Sequence, residues 1–191
     1  MNLIIIGTGS RGKVYARYAQ EYGAKIIAAA DANEEKLKDF AAKFNVPREG
    51  LYKTWEDVFK SEKFADAVII STPDKLHYGP TMAALEKGYH VLLEKPMSPN
   101  EQECRDMVNK SLEKGLILMV CHVLRYAPFY EKLKEIIDEG RIGQIVNIQH
   151  TENVSYWHFA HSFVRGIFRN ETISSPWILA KSCHDLDMIT Y

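Results

Sequence analysis

The chain has 191 residues, 46% of them hydrophobic and 26% charged, with a formal net charge of -1. That length holds one ordinary domain and part of another around a sizeable core, and the balance excludes a disordered or fibrous chain. Near-neutral charge gives no general pull toward nucleic acid or an anionic membrane, so neither is expected as a partner.

The first apolar run, residues 3–6, stops at Gly7 and lacks a basic leader, so it reads as a buried strand and not as a signal peptide or membrane span. Further strands are predicted at 25–30, 67–71, 90–93 and 117–120. Helices are predicted between them at 13–22, 34–44, 55–60, 78–87 and 99–114, several closed by a C-cap glycine such as Gly23, Gly88 or Gly115. Such alternation is the signature of βαβ units, and it predicts an α/β fold, a doubly wound parallel sheet of Rossmann type.

The pattern changes after Val120. Residues 129–139 read as a charged amphipathic helix ending at Gly140, and 144–154 as a strand with alternating faces. Residues 155–174 have no clean period and are rich in aromatic, histidine and arginine side chains, as an active-site loop can be. Ser175 and Pro176 fit an N-cap and first helical position, opening a last helix that runs to Tyr191. We therefore expect a dinucleotide-binding domain over 1–121 and the opening of a second α/β domain over 122–191. Cys104, Cys121 and Cys183 are odd in number, far apart and outside any CxxC, which argues against a disulfide framework or zinc ribbon and favours a reducing cytoplasm.

Gly7-Thr8-Gly9-Ser10-Arg11-Gly12 is a GxGxxG that directly follows an apolar strand and directly precedes a helix. The first glycine permits a tight turn, the second lets a pyrophosphate approach the backbone, and the third lets helix and strand pack closely. The helix N-terminus adds free N–H groups and a positive dipole end. Asp31 ends the second predicted strand, 19 residues after Gly12, where a carboxylate meets ribose hydroxyls. It would repel a 2′-phosphate, and Ala32, Asn33, Glu34 and Glu35 supply no cation to receive one, so NAD is preferred to NADP.

Ser71-Thr72-Pro73 and then His77 follow the 67–71 strand, and Glu94-Lys95-Pro96 follows the 90–93 strand. Both strand ends should open on the crevice where ligands of open α/β sheets bind. With the glycine turn, Asp31 and Arg125, these residues resemble the glucose–fructose oxidoreductase, inositol dehydrogenase and rhizopine-catabolism (Gfo/Idh/MocA) family over essentially the whole chain. The resemblance implies a Rossmann domain joined to a second α/β domain whose open sheet often forms a subunit interface, and oxidation or reduction of a sugar or cyclitol hydroxyl. It further implies that Lys95 contacts substrate and nicotinamide ribose, that Ser71, Thr72, Pro73, His77 and Glu94 line the cofactor, and that His184 accepts the proton.

His184 is also reached from the residues themselves. On a helix over 176–191, Lys181 and His184 share a face while Leu179, Cys183 and Leu186 form an inward apolar stripe. A neighbouring lysine cation disfavours imidazolium, which suits a base near neutral pH; a surface histidine on an ordinary helix is the alternative. Many family members carry an aspartate four residues before this histidine; here Ala180 stands there, and Lys181 is the candidate replacement. Tyr156, Trp157, His158 and Arg165, with Arg125, could face a sugar, or could pack against another domain or subunit. His158, His161, His184 and Asp187 are too loosely spaced for a metal site, and none is expected.

The family is considerably longer than this chain, so the predicted 144–154 strand would lack most of its sheet. A homo-oligomer is expected to cover it. An NAD-dependent sugar or polyol dehydrogenase is the leading expectation. An NAD-dependent glycosidase and a truncated, non-catalytic nucleotide-binding module are the alternatives.

Overall fold

Six parallel strands build the sheet: β1 (Asn2–Ile6), β2 (Lys25–Ala30), β3 (Leu51–Tyr52), β4 (Ala67–Ile70), β5 (His90–Leu93) and β6 (Leu118–Val120), in the order β3-β2-β1-β4-β5-β6. The computed structural model describes residues 1–172 and 174–191, with Ile167 described by its backbone alone. It divides into two compact units, Met1–Val120 and Cys121–Tyr191.

The apolar runs are buried on both faces of the sheet, as parallel strands flanked by helices must be. Side chains alternate along each strand. Ile4, Ile6, Val68, Ile70, Val91 and Leu93 join one core with Ala84, Leu85, Tyr89 and Met107, while Leu3, Ile5, Ile26 and Ile69 join the other with Leu37, Phe40 and Phe44. The first core lies under α3 (Trp55–Val58), α4 (Tyr78–Glu86) and α5 (Glu101–Lys114); the second lies under α1 (Ser10–Glu21) and α2 (Glu34–Phe44). Asn33 caps α2 and Asn100 caps α5 by accepting from first-turn N–H groups, and left-handed Asn45 and Gly115 close them.

Several predicted bounds move. Helix α1 starts at Ser10, so Gly12 lies inside it, and α3 stops at Val58, its Thr54 cap followed by a single helical turn. The short edge strand β3 carried no periodic signal, because two residues cannot show one.

In the second unit, α6 (Pro128–Asp138) has Pro128 in its first turn and α8 runs over Trp177–Thr190. The expected strand over 144–154 does not form: no strand occurs among the described residues of this unit, so its backbone has no ladder to join. Val146 is 94% exposed. Two side-chain pairs hold the segment instead, His150 Nε2 to Asp185 Oδ1 at 2.7 Å and Lys181 Nζ to Glu152 Oε1 at 2.9 Å.

The stretch expected to be aperiodic contains α7 (Tyr156–Phe159), capped by Ser155, and a further helical turn at Ala160–Val164. Phe159, Phe163 and Trp177 form its aromatic cluster. Ile173 of that stretch lies outside the described residues. Pro176, not Ser175, occupies the N-cap position of α8, and Ser175 is buried without capping it. The inward stripe is also corrected: Ala180 and Asp185 are the buried residues of α8, and Leu186 is 61% exposed. Asp185 turns inward because His150 meets it there. No helix among the described residues is long and apolar enough to cross a membrane.

Candidate functional site

The first residue beyond each of four strands is still held by the neighbouring strand. Asp31 N donates to Tyr52 O at 3.2 Å, Gly7 N to Ala30 O at 2.9 Å, Ser71 N to Ile6 O at 2.8 Å and Glu94 N to Ile70 O at 2.9 Å. Asp31, Gly7, Ser71 and Glu94 therefore form a row along the carboxyl edge. Strand order reverses between β1 and β4, which puts a topological switch point between Gly7 and Ser71.

The glycine turn is held from both sides. The Thr8 N–H and hydroxyl both donate to Asp31 Oδ2 at 2.8 Å, and Asn33 N–H donates to Asp31 Oδ1 at 2.9 Å. On the other flank the Ser71 hydroxyl donates to Gly7 O at 2.7 Å. Gly7 has φ +90°, and a Cβ there would lie 2.7 Å from Ser71 O; a Cβ on Gly12 would lie 2.1 Å from Gly7 O. A Cβ on Gly9 would meet nothing within 4 Å. That face is open above the start of α1, whose first turn has no side-chain cap and no acidic residue. This is a cradle that a phosphate fits, with Asp31 beside it, three of whose about four carboxylate lone-pair sites are taken, leaving Oδ1 able to accept a ribose hydroxyl.

Beyond the switch point, Glu94 is buried and accepts from Tyr15 OH at 2.5 Å and from Lys95 N–H at 3.0 Å, with Arg11 Nε 3.6 Å away. Lys95 is half-buried at the head of this turn. The Thr72 hydroxyl donates to Leu76 O at 3.2 Å, and Pro73 and Ser10 are exposed. His77 departs from its expected place. It is 0% exposed, with both ring nitrogens against backbone carbonyls.

The Gfo/Idh/MocA model, described as an oxidoreductase family with an NAD-binding Rossmann fold, matches residues 1–122. The chain belongs to that family. It is 33% identical over 150 residues to the 2,7-anhydro-N-acetylneuraminate hydratase of Mediterraneibacter gnavus, covering 78% of this chain and 38% of that protein. It is 31% identical over 146 residues to the inositol 2-dehydrogenase of Klebsiella pneumoniae, covering 75% and 43%. The scyllo-inositol dehydrogenase of Lactobacillus casei, solved with NAD(H) and scyllo-inositol, shares the fold with a TM-score of 0.82 at 24% identity, covering 99% of this chain and 55% of that one. The chain thus spans less than half the length of the two curated relatives. As in the family at large, its cofactor domain is the NAD-binding one.

Within the second unit, α8 carries both Lys181 and His184. Lys181 Nζ pairs with Glu152 Oε1. An acidic neighbour of His184 on α8 is Asp187, whose side chain is 9% exposed. Arg125 donates from Nε and Nη2 to its two oxygens at 2.7 and 2.6 Å, and His122 Nε2 lies 3.9 Å away. The rings of His122 and His184 meet edge to face at 6.0 Å. Arg125 also lies over the Tyr191 ring, its guanidinium centre 4.4 Å from the ring centroid. Tyr156, Trp157 and Arg165 are exposed, with Trp157 stacked on His161, and His158 meets Phe163 edge-on.

Tyr15, His122 and Glu152 carry structure at these places and were not singled out from the sequence, where Asp187 was named only in a set too loosely spaced for a metal. Asp187 left a signal, since it stands three residues after His184 on one helix face. Burial by itself raises the Asp187 carboxyl, but the Arg125 hydrogen bonds and the charges of His122, Arg125 and His184 outweigh it and hold the group below the usual carboxylate range. The sign follows: this stabilisation is complete above the unfolded carboxyl value and is lost as pH falls through the lower folded one. Asp187→Asn should therefore flatten the acid limb of hydrogen-exchange protection in α8 below about pH 4. An acid limb identical to that of the parent would exclude this role.

Proposed function

We propose that the protein is an NAD-dependent oxidoreductase that moves a hydride between NAD and the carbinol carbon of a sugar, cyclitol or related polyol. The observation that carries the reading is the row at the carboxyl edge, with Asp31 on one side of the switch point and the Glu94-Lys95 turn on the other. NAD, when bound, supplies the nicotinamide ring that takes or gives the hydride.

The chain's own residues divide the remaining work. Gly7, Thr8, Gly9, Ser10, Arg11 and Gly12 hold the pyrophosphate at the start of α1, and Asp31 holds the adenosine ribose. Ser71, Thr72, Pro73 and Glu94 border the nicotinamide half. Lys95 places its cation at the reacting oxygen, where charge develops as the carbonyl forms. His184 takes the hydroxyl proton as the C–H bond breaks, with Lys181 near it on α8. Tyr156, Trp157 and His158 face the ring, and Arg165 an anionic substituent. The names of the relatives, inositol 2-dehydrogenase among them, support a polyhydroxylated substrate.

NADH formation with a panel of cyclitols and sugars tests the reading, against release of aglycone from a chromogenic glycoside. Aglycone release without net redox change would favour the glycosidase, and NADH binding without either reaction the non-catalytic module. Asp31→Ala should weaken NADH by about tenfold or more, since hydrogen bonds to a charged group contribute about 1.5–3 kcal/mol, and should weaken NADPH less. Equal losses for the two cofactors would sink the ribose assignment.

We also assign a homo-oligomeric form, supported by the exposed apolar side chains of Val146 and Ile148, and a cytoplasmic location, supported by an odd number of cysteines spread along the sequence outside any CxxC. A monomer by light scattering, or recovery from a secreted fraction, would overturn the respective assignment.

A further inference from the structure

His77 has no exposed surface and touches both loops that follow β4 and β5. Its Nδ1 lies 2.9 Å from Pro96 O and 3.2 Å from Met97 O, and its Nε2 lies 2.9 Å from Thr72 O. The residue is itself fixed, because Thr81 donates to His77 O from both its hydroxyl, at 2.7 Å, and its N–H, at 3.2 Å.

These contacts close a circuit. Ser71 ties the β4 loop to the glycine turn through Gly7 O, and Glu94 ties the β5 loop to α1 through Tyr15 OH. The imidazole is the remaining link, seated between Thr72 O and Pro96 O, one residue beyond Lys95, where it donates to the carbonyl that faces its N–H and packs against the other. With all links made, the backbone at Lys95 is set relative to the phosphate turn before any ligand arrives.

We propose that His77 is a positioning residue for the nicotinamide half of NAD, acting through the Thr72 and Pro96 loops without touching the cofactor. The proposal rests on the cofactor reading above. A dinucleotide spanning the switch point with its adenosine at Asp31 has its other half over β4 and β5, where the two loops stand. Loops already held in place lose less conformational freedom on binding, and that saving goes to the half of the ligand they border. ADP, which lacks the nicotinamide half, gains nothing from it.

The experiment is titration of the 191-residue chain with NADH and with ADP, for the parent, His77→Leu and His77→Gln, each checked for folding by circular dichroism. The parent should bind NADH more tightly than ADP. His77→Leu should lower that preference by about tenfold with ADP affinity unchanged, and His77→Gln, which keeps hydrogen-bond donors, should restore most of it. If the leucine variant does not fold, the glutamine variant is compared with His77→Asn, whose shorter amide reaches only the Pro96 side; a smaller preference in Asn than in Gln supports the proposal. A lower melting temperature with the NADH-to-ADP preference intact would mean that the imidazole is structural only, and would overturn it. Failure of the parent to bind NADH at all would overturn the cofactor reading as well, which distinguishes the two failures.

Discussion

Gly12→Ala is expected to abolish NADH binding and to destabilise the first unit by about 3 kcal/mol, the upper range for overpacking a close contact. Its Cβ would fall 2.1 Å from Gly7 O and 3.0 Å from the Ser71 hydroxyl, and neither the turn nor the β4 loop is free to yield. Gly7 O already accepts from Ser71, and Thr8 is pinned to Asp31. Helix α1 must therefore move away from the sheet, carrying the phosphate-binding N–H groups with it. Gly9→Ala is the informative control. Its Cβ meets nothing within 4 Å, so thermal stability should hold while the methyl group occupies the space a phosphate needs. Calorimetry with NADH titration checks both, and a Gly12→Ala protein with parental affinity would show that the turn is not the cradle.

Lys95→Ala is expected to lower turnover by about a hundred- to a thousandfold, the range seen when one group stabilising developing charge is removed. NADH affinity should stay within a few-fold, because the pyrophosphate and adenosine contacts lie across the switch point. The measurement belongs in a form of the protein with demonstrated dehydrogenase turnover. Undiminished turnover there would show that Lys95 does not act on the reacting oxygen, and a parallel collapse of NADH affinity would make it a cofactor anchor instead.

The sheet was legible because its strands are short apolar runs bounded by glycine or by helix caps, and because each βαβ unit repeats that pattern. Asp31 was legible for a related reason: the spacing from the glycine turn to the end of β2 is fixed by one helix and one strand. What lay hidden was the direction of side chains within loops. His77 was expected at the cofactor, yet nothing in the order of residues shows that an imidazole five residues after Thr72 turns inward to meet Pro96. Arg125 and Asp187 are 62 residues apart, and a pair at that separation leaves no periodic trace. The 144–154 segment failed for the opposite reason. Its alternation is real, but alternation sets which faces a strand would have, not whether a neighbour is present to pair with it.

That segment carries one more consequence. His150 and Glu152, two residues apart, pair with Asp185 and Lys181, four residues apart along α8, a helical rise of about 6.0 Å. A slip by a single residue would bring Thr151 and Asn153 to those places and break both pairs together. The segment is therefore aligned on the helix by two side-chain pairs that are kept or lost together.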